Sequence, residues 1–470
     1  MTKWSWKWIT LSLVTLSLAA CNANPGSDGS QGNTGADQET NQTRNAAAGT
    51  SNASDDPSSG ERKTIVFSAF WPNEQYEQAK KEYEAAHPNI EIKLQYGLST
   101  PYSDEGGDEA QTNADMEKYI TSTNAAMLAG KGPDLMDLRY LSAEDYTAHR
   151  LLDDLGKRMD QDKTFDKSDY FTHVLESGRT EEGLFSVPLT FSLSGMIGDQ
   201  AAIAQTGIKI DDRNWTWIDF IATGRKLLAA KGPYKTVIGN GEGMIAAAGP
   251  DYFVRSLAID NYGWFVDEAK RKANFDSQQF SELLKQIKDM FDDGIIAGGP
   301  AYFTNVTIHS PQDYLTSLLA FGDQTAFYAK PHATGAAAGA AFTKEYNLGI
   351  NANSNVRDES WEFLKYLMNH TSFGFPINKQ RYREDVQELK DKGTITPDKT
   401  GPLQGKAFQV DATKLDRLEN FVNQAAQERN ESGKVLDIVV AESAAYFAGQ
   451  KSAEEVARLI QNKATTLLNE

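Results

Sequence analysis

The sequence predicts an α/β fold built around a parallel β-sheet, because strand patterns and helix patterns alternate along the first part of the folded region. The first strand is the continuous apolar run of residues 64–71, the second alternates apolar and polar residues over 90–96, and the third covers 133–138. A strand–helix–strand–helix–strand order implies parallel strands joined by right-handed crossovers.

The intervening segments have helical spacing. Asn73 is a plausible N-cap, and apolar residues then recur at helical intervals over 76–86, while a second helix is predicted over 114–129 and ends at Gly130. The same spacing recurs later in the chain, over residues 217–228, 280–290, 361–368 and 456–467. Trp217 and Trp361 occupy core-facing positions of these helices, so we expect both to be structural.

The amino terminus predicts export. Lys3 and Lys7 precede an apolar stretch over residues 9–18, which is shorter than the about 20 apolar residues that a spanning helix needs, so residues 1–20 are expected to form a signal peptide. The sequence Leu-Ala-Ala-Cys at 18–21 resembles the bacterial lipobox, and Cys21 is the only cysteine. The resemblance implies lipidation of Cys21, with a chance cysteine after an ordinary signal peptide as the alternative.

Residues 22–63 contain no Val, Ile, Leu, Met, Phe, Tyr or Trp. Such a segment cannot bury enough apolar surface to fold, so we expect residues 21–62 to be the lipidated cysteine and a disordered tether. About 400 residues remain, which predicts two domains or more. The formal net charge of −18 argues against nucleic acid and against electrostatic docking on anionic lipid.

Several enzyme classes lack their sequence signatures. The six histidines are scattered without metal-ligand spacing, and no His-Glu-x-x-His, Gly-x-Ser-x-Gly or P-loop motif occurs. We therefore expect no catalytic residue, no metal and no cofactor. A glycoside hydrolase stays open as an alternative, since 65 acidic residues guarantee many candidate carboxylate pairs.

Ordered segments of the chain resemble a known family. They are residues 64–71 followed by His87-Pro88-Asn89-Ile90, then 129–134, 151–155, 183–188, 214–220, and 348–354 with the helix at 361–364. Together they resemble the extracellular solute-binding proteins, family 1, that bind sugars for ABC importers. The chain departs from that family in an acidic, glycine-containing insertion at 99–112, in an alanine–glycine run at 334–341, and at the strand 194–199, where the family often has tyrosines.

The resemblance implies a two-lobe, periplasmic-binding-protein-like fold (type II) with discontinuous lobes and a hinge. The implied lobes are residues 63–190 plus 345–374 and residues 191–344 plus 375–470, with crossing strands near 188–194, 346–349 and 373–378. A monomer would capture a carbohydrate, an oligosaccharide, and deliver it to the transmembrane subunits of an ABC permease. It would be lipid-anchored at the extracytoplasmic face of the bacterial cell membrane, with the lipid as its only membrane contact. A surface sugar sensor or adhesin is a further alternative.

Candidate ligand-binding residues follow from the position of the predicted strands. In parallel sheets the ligand crevice lies beyond the carboxyl ends of the strands, and residues after strands are Trp71, Asn73, Arg139, Tyr140, Tyr328 and Lys330. Trp264 joins them by resemblance alone. Aromatic faces suit the apolar C–H faces of a pyranose, and the polar side chains suit its hydroxyls. Structural roles compete: a helix cap for Asn73, a surface ion pair for Arg139, and core packing for the aromatic residues.

Overall fold

The computed structural model describes residues 62–98, 109–239, 249–268, 270–336, 338–397, 405–429 and 433–469. All of them belong to one compact unit, Pro57–Glu470. The predicted signal peptide, Cys21 and the tether up to residue 61 lie outside the described residues. No helix within these ranges combines the length and the apolar character needed to cross a bilayer.

The strands are β1 (Lys63–Ala69), β2 (Ile90–Tyr96), β3 (Leu135–Asp137), β4 (Val187–Asp199), β5 (Val266–Asp267), β6 (Lys272–Ala273), β7 (Phe303–Ile308), β8 (Thr325–Ala329), β9 (Ala341–Ile350), β10 (Phe375–Pro376), β11 (Thr394–Ile395), β12 (Phe408–Gln409) and β13 (Gln427–Glu428).

The α-helices are α1 (Glu74–Ala86), α2 (Glu109–Leu128), α3 (Ala143–Ala148), α4 (Leu155–Gln161), α5 (Thr172–Leu175), α6 (Gln200–Gln205), α7 (Trp217–Ala229), α8 (Pro250–Asp260), α9 (Tyr262–Phe265), α10 (Gln278–Asp292), α11 (Pro311–Ser317), α12 (Arg357–His370), α13 (Lys379–Lys392), α14 (Ala412–Asn423), α15 (Gly433–Phe447) and α16 (Ala453–Asn469).

Nine of these strands form one mixed sheet, with the order β10-β4-β9-β3-β1-β2 and with β7, β8 and β13 pairing at its sides. β1 pairs in parallel with both β2 and β3, as the alternating sequence pattern predicts. The carboxyl ends of β1 and β3 therefore lie side by side. β9 pairs antiparallel with β3, which brings the long returning strand next to these carboxyl ends.

The turn after β1 is fixed by a helix cap. The side chain of Asn73 accepts a hydrogen bond from the backbone N–H of Gln75 at 2.8 Å, so α1 begins directly after this residue. Tyr76, Ala79 and Tyr83 form the buried face of α1 and pack against the sheet. The cap thus sets where the chain leaves the sheet edge.

β4 is a strand of 13 residues that changes partners halfway. Up to Ser194 it pairs with β9, and from Gly195 onward it pairs with β8. A Cβ atom at Gly195 would lie 2.2 Å from Cζ of Phe327, so only glycine fits at the point where the partner changes. β4 consequently runs through two parts of the molecule.

Two large hydrophobic cores flank this strand. Leu193 belongs to the first core, with β1, β2, α1, α12, α13 and α14, whereas Met196 belongs to the second, with α7, α8, α10, α15 and α16. Trp361 is buried in the first core and Trp217 in the second, in agreement with their helical positions. The residue limits of the two lobes stay a prediction. The predicted second lobe includes residues 375–470, whereas α13 and α14 pack in the first core and only α15 and α16 pack in the second.

Candidate ligand-binding site

A cleft of about 390 Å³ opens at the carboxyl ends of β1 and β3. Trp71 lies two residues beyond β1 and Arg139 two residues beyond β3, so the parallel pairing of the strands brings them to one edge. The cleft is lined by Phe70, Trp71, Pro72, Asn73, Tyr76, Asp137, Arg139, Tyr140 and Tyr346. Four of the seven predicted ligand-binding residues therefore meet here: Trp71, Asn73, Arg139 and Tyr140.

One wall of the cleft is aromatic. The indole Nε1 of Trp71 donates a hydrogen bond to the hydroxyl of Tyr140 at 2.9 Å. The ring of Phe70 packs edge-on against both, with centroid distances of 5.0 Å to Trp71 and 5.2 Å to Tyr140. Because Phe70 is buried and the other two rings are only half-buried, the wall presents fixed aromatic surface to a ligand.

The floor of the cleft holds a buried carboxylate. Asp137 is 8% exposed, and it accepts hydrogen bonds from the hydroxyl of Tyr76 at 3.2 Å and from the backbone N–H of Arg139 at 3.0 Å. Burial raises the pKa of Asp137 above its ordinary value, although the Arg139 backbone N–H and charge oppose the shift. Burial also raises the pKa of Tyr76, and the negative charge of Asp137 adds to that effect.

Arg139 lies over the ring of Tyr346, with 4.9 Å between the guanidinium carbon and the ring centroid. Tyr346 has a φ of 51°, a left-handed backbone conformation that is unusual for an aromatic residue. Its ring packs edge-on against Phe373 at 4.1 Å and against Tyr76 at 6.3 Å. Surrounding rings thus hold a strained residue of β9 beneath the arginine.

Asn73 combines both roles that the sequence allows. It caps α1 through its side-chain oxygen, and it also lines the cleft. The helix cap fixes the orientation of the amide, so any contact with a ligand would come from a pre-positioned group.

Tyr328 lies elsewhere. It is 8% exposed and belongs to the second core, where its ring packs edge-on against Phe303 at a centroid distance of 5.3 Å. Burial raises the pKa of the Tyr328 hydroxyl. The structure does not bring Tyr328 to the aromatic cleft, and its contact with a ligand stays a prediction.

Lys330 belongs to a buried ionic network. Its ammonium group donates to Asp260 at 2.6 Å and to the hydroxyl of Ser256 at 3.4 Å. Asp260 also accepts from Nε of Arg429 at 2.7 Å, and Arg429 donates to Ser194, the last residue of β4 that pairs with β9. Lys330 is 6% exposed, so the structure gives it an ion-pairing role, while ligand contact stays a prediction.

Trp264 is 39% exposed and lies beside a different, small recess of about 50 Å³. This recess also involves Ile218, Asn261, Thr334 and the buried Trp217, whose indole Nε1 has no hydrogen-bond partner among the described residues. Trp264 is therefore accessible, but it is not part of the lining of the aromatic cleft.

Five cleft residues are not among the predicted ones: Phe70, Pro72, Tyr76, Asp137 and Tyr346. Asp137 is the last residue of a short buried strand, and Tyr76 occupies an apolar helical position, so both patterns indicate the core. The only sequence signal for Tyr346 is its place on a predicted crossing strand.

Comparisons with known proteins agree with this architecture. The family model described as bacterial extracellular solute-binding protein matches residues 71–372. Similar solved structures include an extracellular solute-binding protein of family 1 from Alicyclobacillus acidocaldarius, with 17% identity, coverage of 88% of this chain and 100% of that chain, and a TM-score of 0.57. A periplasmic oligogalacturonide binding protein from Yersinia enterocolitica has 16% identity, coverage of 87% and 99%, and a TM-score of 0.58.

A third similar structure, the sugar-binding protein MalE from Xanthomonas citri, has 14% identity, coverage of 87% and 98%, and a TM-score of 0.58. At these identities the likeness concerns the fold. It confirms the predicted α/β, two-lobe periplasmic-binding-protein-like fold of type II with discontinuous lobes and a hinge. Because the family model spans more than half of the sequence, this chain belongs to the bacterial extracellular solute-binding protein family.

Proposed function

We propose that this protein captures a carbohydrate, an oligosaccharide, outside the cytoplasm and delivers it to an ABC importer without transforming it. The observation that carries the proposal is the cleft at the carboxyl ends of β1 and β3, in which aromatic surface and polar groups converge. Its volume of about 390 Å³ lies within the roughly 300–1,000 Å³ that is usual for small-molecule sites.

The chemistry of the cleft suits a sugar. The rings of Trp71 and Tyr140 offer flat apolar surface for the C–H face of a pyranose. Asn73, Asp137 and Arg139 supply hydrogen-bonding groups for hydroxyls around its rim. Two of the similar solved structures are described as an oligogalacturonide binding protein and a sugar-binding protein, which supports the proposal.

Membrane attachment through a lipid on Cys21 is part of the same proposal. Cys21 follows a short apolar segment and precedes a region without large apolar residues, so a lipid would hold a freely reorienting binding domain near its permease. Replacement of Cys21 by Ser is expected to release the protein from the membrane fraction. Retention of the processed Cys21→Ser protein in that fraction would contradict the anchor.

Titration of the mature protein with a panel of mono- and oligosaccharides tests the binding function. Calorimetry and tryptophan emission should give saturable binding, and chromatography of the same samples should show the sugar unchanged. Trp71→Phe removes the cleft indole and serves to assign the emission change to the cleft. Product at catalytic rates would establish a glycoside hydrolase instead, and absence of binding by every sugar would refute the carbohydrate assignment.

A further inference from the structure

We propose that the natural ligand carries a carboxylate, as in an oligosaccharide with uronic acid units, and that Arg139 pairs with this carboxylate. The inference rests on the proposed function of the aromatic cleft and narrows its substrate class. It follows from the surroundings of one guanidinium group.

Arg139 differs in its partners from the arginines that form ion pairs in this protein. Seven arginines form ion pairs with carboxylates, namely Arg158, Arg179, Arg213, Arg225, Arg255, Arg381 and Arg429. Arg139 is exposed, lines the cleft, and has no carboxylate oxygen within 4.0 Å in the part of the chain that the structure describes. A cation of the binding site is thus available to an anionic ligand group.

Two acidic side chains act on the charge of Arg139, and both have other hydrogen-bond partners. Both oxygens of Asp137 accept hydrogen bonds, one from Tyr76 and one from the Arg139 backbone, and the carboxylate is buried. Glu345 lies 3.1 Å from Nδ1 of His309. Their charges act on Arg139 through space, but neither carboxylate forms an ion pair with its guanidinium within the described residues.

The guanidinium is also held in place. It stacks over Tyr346, whose strained backbone conformation and contact with Phe373 fix the ring. A planar guanidinium that is fixed by stacking loses little conformational entropy when it binds a planar carboxylate through two parallel hydrogen bonds. Strained residues cluster at ligand-binding sites, so the backbone conformation of Tyr346 supports a functional role for the cation above it.

The aromatic wall and the cation are continuous. Tyr140, which accepts the hydrogen bond from Trp71, lines the same cleft as Arg139. A pyranose ring stacked on the wall can therefore direct its carboxylate toward the guanidinium. The formal net charge of −18 repels anions over long distances, but salt screens this repulsion beyond about 8 Å, so the local cation decides selectivity.

Pairs of probes that differ only in charge test the inference. Oligogalacturonides and oligoglucuronides of two to four units are compared with their methyl esters, which keep the sugar skeleton but lose the carboxylates. We expect the mature protein to bind one of the acids about 10- to 100-fold more tightly than its ester, since charge-assisted hydrogen bonds have this strength. The preference should weaken with added salt.

Three variants complete the experiment. Arg139→Gln should weaken binding of the acid more than binding of the ester and so remove the preference for the acid, and Arg139→Lys should retain part of the preference because it keeps the charge without the planar fork. Arg383→Gln on α13 makes the same charge change at an exposed residue outside the cleft and should leave the preference intact.

Two results overturn the inference. Equal affinity for acids and esters, or tight binding of neutral sugars that is unaffected by Arg139→Gln, refutes acid recognition while the proposed carbohydrate function stands. Absence of binding by every acidic and neutral sugar refutes the proposed function, and the inference falls with it. A melting curve of each variant confirms that it is folded before binding is measured.

Discussion

Asp137 and Asp260 are buried to nearly the same extent, at 8% and 7% exposure, but they differ in what surrounds them. Asp260 lies between the cations of Lys330 and Arg429, at 2.6 and 2.7 Å. Asp137 accepts hydrogen bonds from uncharged groups, the Tyr76 hydroxyl and a backbone N–H. Asp260 is therefore paired with two cations beside the second core, whereas Asp137 forms the floor of an open cleft.

The pKa values of the two carboxylates move in opposite directions for this reason. Burial alone would raise the pKa of Asp260, but the charges of Lys330 and Arg429 outweigh burial and lower it. Burial raises the pKa of Asp137, and its hydrogen bonds and the more distant Arg139 charge do not compensate. We infer that Asp260 stabilises the fold, whereas Asp137 is buried without a paired cation because it belongs to the proposed binding site.

Removal of the Asp260 carboxylate has the largest expected effect on stability. Asp260→Ala leaves Lys330 and Arg429 as buried cations without their shared partner, so the free energy of unfolding should fall by about 3–5 kcal/mol. Denaturant unfolding followed by circular dichroism measures this change. Asp437→Ala, which removes a 72% exposed partner of Arg255, should change the same quantity by less than about 1 kcal/mol. Equal effects of the two substitutions would mean that the Asp260 network is not stabilising.

Acidic pH should reduce the contribution of Asp260 to the free energy of unfolding. Its pKa in the folded protein lies below the ordinary value of 3.8, so its contribution is complete above that pH and is lost as pH falls through the folded pKa. The difference in unfolding free energy between wild type and Asp260→Asn should therefore be constant from pH 7 to 5 and shrink below about pH 4. A difference that grows in acid would contradict the direction of the shift.

Truncation of the aromatic wall should change affinity more than stability. Trp71→Ala removes the half-buried ring that faces the cleft, and we expect ligand affinity to fall about tenfold or more, with a loss of stability below about 2 kcal/mol. Tyr328→Ala, by contrast, removes a ring from the second core and should lower stability by about 3 kcal/mol. If Tyr328→Ala weakened binding without destabilising the fold, Tyr328 would belong to the ligand site after all.

Substitution of Asp137 should have the smallest effect on stability and the opposite pH dependence. Asp137→Asn keeps an acceptor for the Arg139 backbone N–H, so the free energy of unfolding at neutral pH should change by no more than about 1 kcal/mol. Because the folded pKa of Asp137 lies above 3.8, the folded protein holds this proton more tightly than the unfolded chain. Wild type should gain stability relative to Asp137→Asn as pH falls through the folded pKa toward 3.8. Thermal melts of both proteins at several pH values measure the trend.

The sequence-based rule that ligands bind beyond the carboxyl ends of parallel strands applies to only part of this molecule. Trp71, Asn73, Arg139 and Tyr140 follow parallel strands, and the carboxyl ends of parallel neighbours meet at one edge. Tyr328 lies in β8 and Lys330 directly after it, but this strand pairs antiparallel with β4, and the rule does not cover that arrangement. Their side chains are enclosed by the second core and by α8.

Other features depend on contacts between distant segments. Tyr346 reaches the cleft only because β9 returns beside β3 and because rings from α1 and the segment before β10 hold its backbone at a positive φ. The partner of Lys330 is the last residue of α8, 70 positions away in sequence. No local periodicity carries information of this kind.

Local patterns in the sequence determined the strand and helix order, the cap at Asn73, the core positions of Trp217 and Trp361, and the residues that follow the parallel strands. These depend on spacing and side-chain type, which neighbouring residues specify. The tertiary structure decided which buried aspartate meets two cations and which meets none, and it placed Arg139 over a strained tyrosine. Those outcomes depend on the approach of segments far apart in the chain, and electrostatic pairing exists only once they have met.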